Sequence, residues 1–428
     1  MRLRHVRRAG PPCGAAPCGT AKTRYLVPHE PPDRAHAGRV MPPFPAATRL
    51  SLGLIAGGAV ANIYYNQPLL GLLVQAFGHD ASVLVPTATL AGYGLGILAL
   101  VPLGDALPRR SLIVGQLLLL AAVLVLAAAS TSLPVLVLAG FLIGVLSTAA
   151  QQAVPFAAEL APDAVRGRVV GQVMTGLLLG ILLARTASGF VGAFAGWRAV
   201  FAGAAGLATA FAGLAWFGLP KVRPAARLGY RALMGSILDL VRREPVLRRA
   251  ALSQALLFAA FNAFWTTLAL LVEAPPFGLD PAGAGLFGVI GAAGALCAPI
   301  AGRFADTRSP RPVLIGGAAL TLAAFAVFGL LGGRSLAALA VGVLLIDIGV
   351  NAALIANQTR VYALAPGARG RINTVLFTAI FTGGAIGASA GTRAFAAGGW
   401  PALCAVGGAF AAASLLVPLL ERRPRPRS

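Results

Sequence analysis

Two ionisable side chains lie deep inside long apolar runs, where an uncompensated charge is costly. Arg185 sits in Val169 to Phe194, VVGQVMTGLLLGILLARTASGFVGAF, and Asp347 in LLIDIGVNAALIANQTRVY. An arginine at the centre of a hydrocarbon layer costs roughly 3 kcal/mol on insertion scales, so it must face a polar cavity or a counter-charge. A carboxyl that alternates between an apolar setting and a wet or arginine-paired one can bind and release a proton. A static hydrogen-bond or ion-pair anchor is the alternative for Asp347. Around these charges the sequence scatters polar residues on apolar segments. ANIYYNQPLL carries Asn62, Tyr64, Tyr65, Asn66, Gln67 and Pro68, and Asn62 and Asn66, four apart, share a helix face. Gln151, Asn262, Trp265 and Asn351 occupy three further segments. Such groups either line a wet cavity or join helices, and the candidate cavity set is Asn62, Tyr65, Asn66, Gln67, Gln151, Asn262, Trp265 and Asn351.

The elements that must position these residues are transmembrane helices. Over 428 residues the chain is 57% hydrophobic and 11% charged, with a mean hydropathy of +0.80, which excludes an ordinary soluble enzyme. Twelve spans are expected near residues 50–73, 83–103, 111–130, 133–158, 169–194, 198–219, 250–271, 283–303, 312–332, 336–358, 373–395 and 401–420. These are spans 1 to 12 below. The net charge of +22 does not form a nucleic-acid patch, because basic residues alternate with apolar spans. With both termini cytoplasmic, 31 of the 35 Lys and Arg residues fall on the inner side, leaving Arg198, Arg334 and Arg393 outside and Arg185 in the membrane. The expectation is a multi-pass protein of the cytoplasmic membrane.

Residues 1–48 are rich in arginine, proline and small residues and read as a disordered leader, with Met41 a candidate start of translation. Residues 49–220 form an N-terminal six-helix bundle, 221–249 a basic cytoplasmic linker, 250–420 a C-terminal bundle and 421–428 a basic tail. Cys13, Cys18, Cys297 and Cys404 have no metal or disulfide spacing, and His5, His29, His36 and His79 lie outside the spans. No metal or cofactor is expected.

The halves repeat. Asp105, Arg109 and Arg110 between spans 2 and 3 reappear as Asp306, Arg308 and Arg311 between spans 8 and 9, and APDAVRGR at 161–168 as APGARGR at 365–371. Gly196-Trp197 matches Gly399-Trp400, and Gly180 matches Gly383, at an offset of 203. On these residues the chain resembles the major facilitator superfamily over 50–420. The family's loop motif, G-x-x-x-D-R-x-G-R-R, is met at Asp105, Arg109 and Arg110, whereas Val101, Ala106 and Pro108 depart from it. The second copy keeps Gly302, Asp306 and Arg311. The resemblance implies a fold of two pseudo-symmetric six-helix bundles, a cavity between spans 1, 4, 7 and 10, and a gating loop whose Asp caps a helix of the other half. Span 5 is similar to the family's antiporter motif at Gly171 and Gly180, but Ala184 and Arg185 replace its Gly-Pro, and Gly140 stands where span 4 often carries arginine. Gly171, Gly180, Gly189, Gly383 and Gly387 are expected at helix contacts.

These readings point to a secondary transporter of small organic solutes working by alternating access, and the resemblance implies a monomer. Proton-coupled export is expected, with Asp347 as proton site and Arg185 as its electrostatic partner or anion binder, and the resemblance alone implies efflux of a drug or metabolite. The alternative is an importer or exchanger in which Arg185 captures an organic anion. A non-transporting receptor is a weaker reading. An intramembrane enzyme is disfavoured, since no HExxH, GxSxG or nucleotide-binding loop is present.

Overall fold

Apolar segments of 18 residues or more satisfy their backbone groups in hydrocarbon only by forming helices or a closed barrel. The computed structural model describes residues 45–162, 165–222, 229–295, 309–364 and 368–421, and they fold as helices. Among the described residues, eight helices are long and apolar enough to cross a membrane. Two of them, Arg166–Gly218 and Arg369–Leu419, each hold two spans folded back at a kink. Two shorter apolar helices, Ala46–Ala61 and Pro281–Gly291, complete the correspondence with the twelve expected spans. Residues 1–44 with Met41, then Cys297, Gly302, Asp306, Arg308 and residues 422–428 lie outside the described residues, whereas Ala46 to Thr48, expected in the disordered leader, are the first turn of the Ala46–Ala61 helix.

The two sharp turns are made by the repeated glycines. Gly196 has φ 77° and Gly399 has φ 65°, a left-handed backbone that a Cβ would disfavour. The tryptophan after each one anchors its turn. Trp400 donates from Nε1 to the Phe328 carbonyl at 2.8 Å, and Trp197 packs on Phe77 at 5.6 Å between ring centroids.

Span 1 departs from the single helix expected for 50–73. It is helical over Ala46–Ala61 and again over Leu70–Phe77, and between them Asn62 to Leu69 form successive tight turns with i to i+3 backbone bonds. Pro68 has no N–H to continue a helix and disfavours the helical conformation at Gln67. Asn62 Nδ2 donates back to the Gly58 and Ala59 carbonyls at 2.8 and 3.2 Å, closing the first segment. Span 4 is likewise divided at Thr148, between Leu133–Ser147 and Ala149–Leu160. Its Gln152 donates to the Leu100 carbonyl at 2.8 Å, tying it to the end of span 2. The linker contains an amphipathic helix, Tyr230–Arg243.

Glycine seams bring the helices together. Gly176 and Gly180 lie backbone to backbone against Gly53 and Gly57 of span 1, while Gly383 and Gly387 lie in the same way against Ala255 and Ala259 of span 7. Gly189 abuts the Pro281 carbonyl of span 8. Gly171 does not fit the packing expectation: a Cβ there would meet nothing within 4 Å, because the residue is on the exposed side of span 5 and Gly176 makes the contact. The halves join through span 5 on span 8 and span 2 on span 11. Thr186 donates to the Gly285 carbonyl at 3.1 Å, and Tyr93 meets Phe381 at 4.4 Å between centroids.

At the expected cytoplasmic edge, Asp105 accepts from Arg109 at 2.7 Å and Glu159 of span 4 pairs with Arg109 at 3.2 Å. Asp105 therefore bonds within its own half here, unlike the cross-half cap implied by the resemblance, because Arg109 lies one helical turn away. Arg110 stacks its guanidinium 4.9 Å from the Trp216 ring centroid. In the other half Arg311 donates to the Pro418 and Glu421 carbonyls at 2.9 and 3.0 Å. The Glu421 carboxylate pairs with Arg360 at 2.6 Å and Arg249 at 3.3 Å, so one residue ties spans 7, 9, 10 and 12.

Candidate functional site

Arg185 is the best-anchored charge in the membrane. The turn segment of span 1 supplies two of its neighbours: Gln67 Oε1 accepts from Arg185 Nε at 2.7 Å, and the Tyr64 ring lies 4.5 Å from the guanidinium carbon. On the other side the Trp265 ring of span 7 lies 4.3 Å away. A guanidinium between two aromatic faces gains cation–π stabilisation that is strongest when water is excluded, and Arg185 is only 6% exposed. Its Nη2 has no hydrogen-bond partner.

Asp347 approaches the same indole from span 10. The side chain is 6% exposed, and a Cβ built at Gly291 of span 8 would lie 2.9 Å from Trp265 Cζ2 and 3.1 Å from Asp347 Oδ2. A Cβ at Gly294 would lie 2.7 Å from the Asp347 Cβ. Both Trp265 Nε1 and Asp347 Oδ2 are buried without a hydrogen-bond partner. No Arg185 nitrogen pairs with an Asp347 oxygen within 4.0 Å. Both charges thus border one aromatic side chain, with the cation on an N-terminal span and the acid on a C-terminal one. Three buried polar atoms, Arg185 Nη2, Trp265 Nε1 and Asp347 Oδ2, are left around it for a solute, a water or a proton to engage.

The other expected cavity residues divide by role. Gln67 and Trp265 belong to the charged site. Asn66 donates to Thr89 of span 2 at 3.1 Å, and Gln151 donates to the Tyr93 hydroxyl at 3.1 Å. Asn62, Asn262 and Asn351 donate to backbone carbonyls of their own spans, although the Oδ1 atoms of Asn62, Asn66 and Asn262 are buried without partners. Tyr65 instead lines a lateral groove between spans 1, 5 and 6, away from the charged pair. Tyr64, Gly291 and Gly294 escaped the site reading. Tyr64 was visible only as one aromatic in a polar run, and the two glycines gave no signal, because their role depends on what packs opposite.

The comparisons agree with this architecture. The family described as Major Facilitator Superfamily matches residues 52–295 and 250–428. The chain is 42% identical over 369 residues to the putative uncharacterized transporter YgaY of Escherichia coli K12, covering 86% of this chain and 93% of that one. It is 32% identical over 308 residues to the chloramphenicol resistance protein of Streptomyces lividans, covering 66% and 73%. A bacterial homolog of the human lysosomal transporter Spinster, solved inward-facing and occupied, shares the fold with a TM-score of 0.66 at 16% identity, over 89% of this chain and 96% of that one. With its helices, its kinked helix pairs and these relatives, the chain belongs to the major facilitator superfamily and is a multi-pass membrane transporter, not an enzyme.

Proposed function

We infer that the transporter is a proton-coupled efflux carrier for small organic solutes, with Asp347 as its proton site and Arg185 as the fixed charge opposite. The observation that carries this reading is the placement of Arg185 and Asp347 on spans from the two halves, against a single indole, without a direct ion pair. Alternating access moves one half against the other. A carboxyl at that boundary therefore exchanges a changing set of neighbours, which is the physical condition for taking up a proton on one side and releasing it on the other. The name of the Streptomyces lividans relative, a chloramphenicol resistance protein, supports the outward direction. The lopsided distribution of Lys and Arg supports a cytoplasmic membrane location with both termini inside.

The test is flux in proteoliposomes under an imposed pH difference. Efflux carriage requires protons to move opposite to solute, and Asp347→Asn removes the pH dependence while solute exchange persists. Protons moving with the solute, or coupling unchanged in Asp347→Asn, would sink the reading. A second reading, uptake or exchange of a small organic anion, is favoured by the unpartnered Arg185 Nη2. Inhibition by simple carboxylates that disappears in Arg185→Gln identifies it.

A further inference from the structure

Apart from the charged site, a groove of about 630 Å³ runs between spans 1, 5 and 6. Its walls carry large apolar side chains that are not covered by protein: Leu54 is 45% exposed, Leu183 58% and Leu207 52%. In a transmembrane bundle such surface faces hydrocarbon, so an acyl chain is the material that fills it. The floor is set by the close backbone approach of Gly53 and Gly57 to Gly176 and Gly180, which leaves a channel beside the seam about 22 Å long from the rise of the Ala46–Ala61 helix. Apart from Tyr65, the polar side chains of the lining lie at one end. Arg49 stands at the mouth with Gln172 and Thr175 of span 5, and Arg49 has no ion-pair partner among the described residues. Among the described residues, no other charged group lines the groove.

We propose that this groove is a binding site for one anionic phospholipid of the cytoplasmic leaflet, its phosphate on Arg49 with Gln172 and Thr175 beside it and an acyl chain laid along spans 1 and 5. Charge complementarity selects the occupant: a lone cation at the membrane boundary above an apolar channel favours an anionic head over a zwitterionic one. The volume lies in the range of ordinary ligand sites. The site is separate from the Arg185 and Asp347 pair, and its success or failure leaves the transport reading unchanged.

The experiment is native mass spectrometry of the full-length protein in mild detergent, titrated with phosphatidylglycerol or with phosphatidylcholine of the same chains. The expected result is roughly fivefold tighter binding of phosphatidylglycerol. Arg49→Gln abolishes that preference and Arg49→Lys keeps it, while Arg334→Gln, at the opposite membrane face by the charge distribution, leaves it intact. Ala187→Phe, which fills the inner end of the groove from an exposed position, weakens binding of both lipids. Equal affinity for the two lipids in the unmodified protein overturns the proposal, a measurement that needs no variant to fold. So does a preference that survives Arg49→Gln, binding unchanged by Ala187→Phe, or equally tight binding of glycerol 1-phosphate, which has the phosphate and no chains.

Discussion

The guanidinium of Arg185 rests 4.3 Å from the centre of the Trp265 ring, and this contact joins a span of the first bundle to a span of the second. Because the same indole borders Asp347, a movement of one bundle against the other changes the surroundings of both charges together.

Shortening that indole tests the contact. Trp265→Leu removes a desolvated cation–π contact worth about 2 kcal/mol and opens space beside both charges, so thermal stability and coupled flux both fall. Trp265→Phe retains an aromatic face and recovers part of each. Unfolding curves in detergent, read beside flux, check this; equal loss in the two variants would mean that ring volume, not the aromatic face, is what matters.

Gln67→Leu leaves the Arg185 Nε donor without its 2.7 Å acceptor. An unsatisfied buried donor costs about 1–3 kcal/mol, so the melting temperature drops, and it drops less when Arg185 is also replaced by Leu. A double-mutant cycle measures the coupling, and additive effects would contradict it.

Gly291→Ala places a methyl against both Trp265 and Asp347, whereas Gly316→Ala on span 9 meets open space. The first shifts the pH profile of transport; the second leaves it unchanged. Crowding of this kind costs about 1–3 kcal/mol, and the flux profile distinguishes a displaced carboxyl from general destabilisation.

Gly180→Leu drives a side chain into the Gly57 backbone, while Gly171→Leu extends into free space. The first lowers stability by about 1–3 kcal/mol or more and the second stays within about 0.5 kcal/mol of the starting protein. Thermal unfolding of the pair measures the difference, and comparable losses would refute the assigned seam.

Much of the fold was legible because transmembrane helices are written in local composition: the run lengths, the basic loops and the repeated Gly-Trp pairs fixed spans and turns within the chain itself. The breaks were less visible. Pro68 and its polar neighbours signalled an anomaly in span 1, but polar residues on a helix face and polar residues in an unwound turn look alike until the backbone bonds are drawn. At the site, Arg185 and Asp347 stood out through the cost of burying charge. Their relation did not, since the depth and rotation of spans 5, 7, 8 and 10 decide which aromatic side chain they share. Gly171 shows the converse error: its spacing suited a helix contact, but its side of the helix faces outward.

Glu421 carries a practical consequence. Since its carboxylate engages arginines from spans 7 and 10 and its carbonyl one from span 9, a truncation or fusion junction placed after residue 421 leaves that knot tied, whereas one placed a single residue earlier strips Arg249 and Arg360 of their carboxylate and leaves Arg311 only the Pro418 carbonyl. Chains shortened for purification therefore differ sharply in yield across that one-residue step.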